Sequence, residues 1–560
     1  MMGASGPLLP LLTLVVPLAL GALASVPVVR RHAILLLPLA PLPGLACALL
    51  SPHGIETSVP ELLLGVVLGM DAPSALLLGM SSFLWLMAGI FATAYLRDTR
   101  KPAVFAGFWC LTLAGNLGVF LARDAATFYV SFTAVSLASY ILVVHDASEG
   151  ALRAGRIYIV LAVIGEAALL LAFLIGAGMA ESLQISEIRE VLGRSVWGNI
   201  ALVALVVGFG VKAGMMPLHI WLPLAHPAAP TPASAVLSGA IVKAGIFGLL
   251  QFMPGGGAAL GYALLAIGLA SAYLGVLAGL AQRNTKALLA YSTISQMGLL
   301  VAVAGAATAA EDPRPGLMAA AFYAAHHGLT KGGLFLSVGL VAATGRTRLA
   351  PVMAVVALLA LSVAGLPLTG GALAKLAVKG PMEIGPAEML LTLSAVGTAL
   401  LLLRFVLLLW NEHATAAGAR AQPLLVLPFM AIAVAAVALP WALFPAFSGH
   451  DRLYAFSGSN IWSAVWPLVL AGALGAIALR LRIRAPRIPE GDIVVPLERA
   501  AEAAVAGWAR QARRLRPMPD VTPGGVIAGI PAIDKLEVWV GRWSIAGLLL
   551  LALVLALTLQ

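Results

Sequence analysis

Charge is scarce in this chain. Only 10% of its 560 residues are Asp, Glu, Lys or Arg, while 61% are hydrophobic, and the mean hydropathy is +1.00. Soluble domains carry about a quarter charged residues, so this balance excludes one and predicts an all-α polytopic membrane protein. Cysteine is scarcer still. Cys47 and Cys110 stand alone inside apolar runs and build no disulfide framework, iron–sulfur cluster or zinc site. The sequence also lacks a GxxxxGK[ST] phosphate loop and a dinucleotide fingerprint in a loop. We therefore expect no cofactor, no metal and no catalytic centre of its own; the driving force must come from an ion gradient or a partner.

Hydrophobic length is abundant. A membrane helix needs about 20 apolar residues, and about sixteen stretches between residues 7 and 559 qualify. The first, 7–29, lacks a basic start and runs into Arg30–Arg31 and a second stretch at 33–50, so it is not read as a cleaved signal. The short run 58–70 fits a re-entrant or interfacial piece. The formal net charge of +10 would suggest nucleic acid in a soluble protein; here the basic residues lie in loops and report orientation. Arg30, Arg31, Arg97, Arg100, Lys101, Arg153, Arg156, Arg283, Lys286, Arg346 and Arg348 follow odd-numbered segments, as does the basic stretch from Arg480. The positive-inside rule puts these loops in the cytoplasm of a bacterial inner membrane protein and the N-terminus outside. Lipid is the expected surroundings, and nucleic acid is not an expected partner.

Two segments are interrupted alike. One carries Lys212 and then Met-Met-Pro217-Leu-His219, with Pro223 beyond; the other carries Gly365-Leu-Pro367, Gly370-Gly371 and then Lys375. Proline removes a backbone donor and glycine loosens a helix, which is tolerated at membrane depth only where freed carbonyls meet protein or water. Paired breaks of this kind point to inverted repeats. Past residue 480 the pattern changes. Leu497, Ala501, Val505, Trp508, Ala512 and Leu515 share one face of a predicted basic amphipathic helix, suited to the membrane surface or a neighbouring subunit, before a last apolar segment at 541–559.

Several titratable groups interrupt apolar segments: Glu166, Lys212, Lys243, His326, His327, Lys331 and Lys375. A lysine at the centre of a membrane helix costs roughly 2.5–3.5 kcal/mol on insertion scales, so such groups face protein or water and mark ion paths. Snorkelling is the alternative for Lys375, nearer a segment end, and an interfacial place is expected for Lys379. His327 and Lys331 are four apart on one helical face, where imidazole can pass a proton between its two nitrogens. His326 beside it must point elsewhere and has a structural reading. Glu166 reads either as a neutral interhelical hydrogen-bonding carboxyl or as the counter-charge of a lysine, a pair that switches as it opens. Arg404 is a further intramembrane charge or a helix-end residue.

The stretches VKAGMMPLHIWLPLAHPAAPTPASAVLSGAIVKAGIFGLL, RNTKALLAYSTISQMGLL, HHGLTKGGLFL and AGLPLTGGALAK resemble the core of the proton-pumping, antiporter-like membrane subunits of respiratory complex I, multisubunit cation/proton antiporters and group 4 hydrogenases. The resemblance implies about 14 core helices in two inverted five-helix repeats, plus a lateral helix and an extra anchor. It divides the chain into N-terminal helices (1–102), a first unit (103–255), a second unit (256–412), closing core helices (413–480), a lateral segment (481–540) and an anchor (541–560). Matched by motif, it implies a relay through Lys212, Lys243, Lys286, His327, Lys331 and Lys375, with Lys286 entering on the resemblance alone because hydropathy leaves it in a loop. His219, His326, Thr133 and Arg404 are accessory positions. One departure stands out: Thr133 occupies the place where members usually carry the glutamate that pairs with Lys212, and Glu166 matches a second acidic position on the next helix.

The expectation is thus a proton-translocating subunit of a larger complex, with other membrane and peripheral subunits as partners and H+ or Na+ as cargo. The alternative is the ion-coupling subunit of a cation/proton antiporter, or of an inorganic-carbon uptake complex with a soluble zinc-protein partner. A scaffold with a dead channel is the third reading, opposed by the retention of every lysine.

Overall fold

A computed structural model describes residues 8–482 together with 486, 488–491, 493, 495 and 496. The expected amphipathic lateral helix and the 541–559 anchor lie outside the described residues. The described chain is almost entirely helical. It runs through α1 (Leu8–Leu23), α2 (Leu42–Leu50), the hairpin β1 (Thr57–Val59) and β2 (Val66–Leu68), α3 (Ala72–Tyr95), α4 (Pro102–Leu121), α5 (Ala125–Val143), α6 (Glu149–Ala180), α7 (Ile185–Val191), α8 (Val196–Ala213), α9 (Trp221–Ala228) and α10 (Thr231–Val236). A π-helical turn, Leu237–Ile241, joins α10 to α11 (Val242–Phe252). Then come α12 (Ala258–Leu280), α13 (Thr285–Ala309), α14 (Arg314–Ala342), α15 (Leu349–Ala364), α16 (Gly370–Lys379), α17 (Ala387–Leu409), α18 (Pro423–Ser448) and α19 (Gly458–Arg480). Twelve helices among the described residues are long and apolar enough to span a membrane; α10 to α11 count as one of them. α14 has the length, 29 residues, but its His-His-Gly-Leu-Thr-Lys run dilutes its hydropathy.

Helix starts follow side-chain caps that satisfy backbone donors left without an intrahelical partner. The Asp71 carboxylate accepts from Ser74 N at 2.9 Å, Asp124 from Thr127 N at 2.7 Å, and Asn284 from Ala287 N at 3.1 Å. One sequence expectation is corrected. The 33–50 stretch does not span: Pro38, Pro41 and Pro43 cut it into a 3-10 turn (Arg30–Leu36) and the nine-residue α2. The short 58–70 run forms the small hairpin, paired Thr57↔Leu68, Ser58↔Val67 and Val59↔Val66.

The centre of the bundle is α10–α11, α13 and α14, wrapped by α3, α8, α12 and α16. Every residue of the most apolar window of α13 and of α10–α11 is buried, against 17% in peripheral α19. α12 and α13 approach closely at small residues: any Cβ on Gly268 would run into the backbone of Gly298 and Ala302. Both anticipated breaks are present. α8 ends at Gly214 (φ +73°) and resumes as α9 after Pro217; α15 ends at Gly365 (φ +99°) and resumes as α16 after Pro367. The loops that carry the basic residues meet on one face: Thr99 hydrogen-bonds His145, Gly345 N donates to Ala419 O, and Thr285 reaches Glu412. The opposite face carries the Arg123–Asp71 and Lys379–Glu388 ion pairs, at 3.3 and 3.2 Å.

Candidate functional site

Lys212 sits one helical turn or less before the first break, on α8, and is 4% exposed. Its ammonium donates to Ser136 Oγ at 2.6 Å, and Ser136 Oγ in turn donates to Glu166 Oε1 at 2.5 Å. Thr133 donates to the other carboxylate oxygen, Oε2, at 2.7 Å. The serine therefore bridges cation and anion, and Thr133 and Glu166 form one hydrogen-bonded unit spanning α5 and α6. The Phe132 ring lies 5.2 Å from the ammonium. A small cavity lined by Phe132, Ser136, Tyr158, Glu166, Lys212 and Trp221 surrounds the bridge. Trp221 caps the break by donating to Val211 O at 2.7 Å.

α11 packs on α8 at Gly245, whose absent Cβ leaves room for the backbone of Phe209 and Ala213 and for Lys212 Cβ. This brings Lys243, fully buried two residues earlier, to the centre. Its ammonium donates to Ser238 O at 2.6 Å, a carbonyl of the π-helical turn, and lies 2.9 Å from His327 Nδ1. Ser238 Oγ meets Thr293 Oγ1 at 2.8 Å. Lys331, also fully buried, donates to Leu289 O at 3.2 Å, one turn along α13 from Thr293, which itself bonds Leu289 O at 3.0 Å.

The two histidines diverge as their 100° helical offset requires. His327 faces Lys243; His326 faces the second break, where its Nε2 lies 3.0 Å from Ser362 Oγ, and Gly370 and Gly371 make room for its ring. Across that break Lys375 donates to Ala364 O at 2.7 Å. Lys375 is half-buried and lines a cavity of about 320 Å³ together with Lys379, Glu388, Thr392, Ser463 and Trp466.

Lys286 stands apart from the central pair. It is half-buried on the first turn of α13 and donates to Ala229 O at 2.8 Å, with Asp146 and Glu412 close enough to act on its charge. Burial pushes the Glu412 carboxyl up from its ordinary value, against the Thr285 hydroxyl and the Lys286 charge, which lower it. Arg404 donates through Nε and Nη2 to Gln282 O, at 3.2 and 2.9 Å, at the end of α12 and away from the buried row. His219 is fully buried, with its ring 6.2 Å from Tyr291.

Sequence reasoning missed Ser136, Ser238 and Thr293, common hydroxyl residues whose importance rests on neighbours from other helices. It also passed over His226, which the LAHPAAPTP motif contains. The structure places His226 fully buried on α9.

Residues 122–401 match the family model described as NADH:quinone oxidoreductase/Mrp antiporter, TM. Hydrogenase-4 component B of Escherichia coli is 36% identical over 290 residues, covering 49% of this chain and 43% of that protein. An antiporter subunit, mnhA2, of Staphylococcus saprophyticus is 32% identical over 326 residues, covering 52% of this chain and 40% of that protein. The matches thus span under half the length of these curated relatives. Among solved structures, the Mrp complex from a Dietzia species superposes with TM-score 0.74 at 24% identity, covering 95% of this chain and 63% of that one. The membrane-bound sulfane sulfur reductase, an archaeal respiratory membrane complex, gives TM-score 0.66 at 20% identity, covering 84% and 99%. At these identities the two structures bear on the fold.

Proposed function

Because the chain belongs to the NADH:quinone oxidoreductase/Mrp antiporter transmembrane family, we propose that it is the proton-translocating membrane subunit of a multisubunit complex, driven by a reaction on another polypeptide. The observation that carries this reading is the row of buried polar groups running from one broken helix to the other. Its hydrogen-bonded parts are Glu166–Ser136–Lys212, Lys243–His327 and His326–Ser362, with Lys375 on Ala364 O across the second break; on this reading water joins them. The basic-loop face is the cytoplasmic one on this reading, and the breaks fall one in each of the 103–255 and 256–412 units.

Each part has a chemical task. Lys212 exchanges a proton with the water that reaches the Glu166 cavity, and Ser136 transmits between cation and carboxylate because a hydroxyl donates and accepts at once. A lysine in water holds its proton too tightly to relay it, and a dry interior loosens that hold. The histidines pass the proton across α14, and Lys375 delivers it to the cavity at the second break. Lys331 sets the charge balance of the centre, and Lys286 joins it to the basic-loop face. The Glu166–Ser136–Lys212 bridge supplies the switch that the family's usual carboxylate supplies from α5. Replacing Lys212 with Ala is expected to abolish proton flux in vesicles carrying the assembled complex, as followed with a pH-sensitive dye. Undiminished flux in an assembled K212A complex removes the assignment.

The likeness to an antiporter subunit supports a second reading, exchange of Na+ for H+. Thr133, Ser136 and Glu166 converge hard oxygen donors beside Lys212, and hard oxygens suit hard cations. Flux that depends on Na+, and stops when choline replaces it, favours this reading.

A further inference from the structure

His226 is a buried titratable group outside the row from Lys212 to Lys375. It lies on α9, fully buried, and neither ring nitrogen has a hydrogen-bond partner. The ring stacks on Phe335 of α14, with centroids 4.4 Å apart and planes 24° apart. A buried, unpartnered imidazole is destabilising unless water satisfies it. His327 Nε2 and Ser292 Oγ are likewise buried and unpartnered, on α14 and α13. Such orphaned groups are what ordered internal water serves.

Three lysines lie around the ring; the carboxylate of the neighbouring α6, Glu166, lies by Trp221 in the cavity at the start of α9. Lys286 of α13, Lys331 of α14 and Lys243 of α11 all lie close enough to act on the ring, Lys286 most strongly. The backbone beneath it is pinned by the same groups. Ser234 Oγ donates to His226 O at 2.9 Å, and Lys286 donates to Ala229 O at 2.8 Å, three residues on. Outside Lys286 stand Asp146 and Glu412, on the basic-loop face. His226 thus stands between a half-buried lysine that reaches that face and the two dry lysines at the centre.

We propose that His226 is a relay residue of a branch that connects the central Lys243–His327 pair to the basic-loop face through Lys286. The branch rests on the proton-translocating reading. One ring nitrogen takes a proton passed through water from Lys286, and the other releases one towards Lys243 and Lys331, so the ring returns neutral and no other reactant is consumed.

The test uses the whole complex in vesicles. His226→Phe keeps the stack on Phe335 and removes both nitrogens. Initial proton flux is expected to fall roughly tenfold or more, with unchanged assembly on a native gel. A ring that merely fills space is served by Phe, so flux at half the natural rate or more in an assembled H226F complex overturns the branch. Should H226F fail to assemble, His226→Gln takes its place, because glutamine hydrogen-bonds but does not carry a proton at neutral pH. The same loss is expected of it, and flux at half the natural rate or more again overturns the branch. K212A separates the two failures. If K212A abolishes flux while H226F retains it, only the branch falls; if both retain it, the translocating reading falls as well.

Discussion

The two broken helices use one device in two electrostatic settings. Each ends on a left-handed glycine, Gly214 or Gly365, and each has one freed carbonyl taken by an indole: Trp221 on Val211 O and Trp441 on Leu368 O, at 2.7 and 2.9 Å. The lysines sit on opposite sides of their breaks. Lys212 precedes the first and meets a carboxylate through Ser136; Lys375 follows the second and takes a backbone carbonyl, Ala364 O. A carboxylate can hold a lysine charged until the pair is separated, whereas a carbonyl dipole offers weaker hold and no charge to compensate. On the proposed reading the first site stores a proton and the second, which lines its cavity, lets one go.

Breaking the first site should have the larger effect. Glu166→Gln keeps the shape and an acceptor for only one of the two hydroxyls of Thr133 and Ser136, and it removes the counter-charge, so flux should fall by roughly a hundredfold. Adding Thr133→Glu to that variant returns a carboxylate to the α5 position and should recover most of the loss, because Thr133 and Glu166 already touch at 2.7 Å. A double variant as dead as the single one shows that the carboxylate must approach from α6. Ser136→Ala leaves both charges and removes the bridge, and a loss of about tenfold in the same flux assay is expected.

The breaks themselves were legible, because in both a glycine and a proline fall close together beside a lysine inside an apolar run, where freed carbonyls must meet protein or water. Lys212, Lys243, Lys331 and the His326–His327 pair stood out for the same reason, as charge or polarity where hydropathy expects none. Partners were not legible. Thr133 looked like a lost carboxylate until the fold brought it onto Glu166; Ser136 looked like one more serine among several on α5. Lys286 looked exposed because its backbone begins a helix after a loop, while its four-carbon stem carries the ammonium to Ala229 O. The 33–50 stretch misled in the other direction: its hydropathy is that of a span, and three prolines within six residues prevent one.

Glycine substitution sharpens the contrast between the two breaks. An alanine at either site strains a left-handed backbone by about 1–3 kcal/mol, which a shift in melting temperature should record for both. The neighbours differ. A Cβ at Gly214 would stand 2.9 Å from Leu222 Cδ1, a flexible methyl, whereas one at Gly365 would stand 3.1 and 3.2 Å from Lys375 Cδ and Nζ. Gly365→Ala should therefore lower flux several-fold beyond its effect on stability, because it displaces the delivering amine. Gly214→Ala should lower stability with little further change in flux. Equal flux defects in the two variants would mean that the break, and not the lysine beside it, sets the rate.

The smallest effect is expected at the rim of the second cavity. Lys379 and Glu388 form a half-exposed ion pair at 3.2 Å, worth well under about 1 kcal/mol once solvent screening is counted. Lys379→Met should barely move the melting temperature, and flux should stay within about twofold because neither group touches the row from Lys212 to Lys375. The variant nonetheless probes the difference between the sites at its root. With Lys379 gone, Glu388 keeps its place on the wall that Lys375 also lines, and its carboxylate is free to turn inward. If flux then drops as far as in E166Q and recovers in the double variant with Glu388→Gln, the second site has acquired the trap that the first carries by design. In that case the Lys379–Glu388 pair keeps the delivering lysine without a counter-charge, and the asymmetry between the two breaks depends on it.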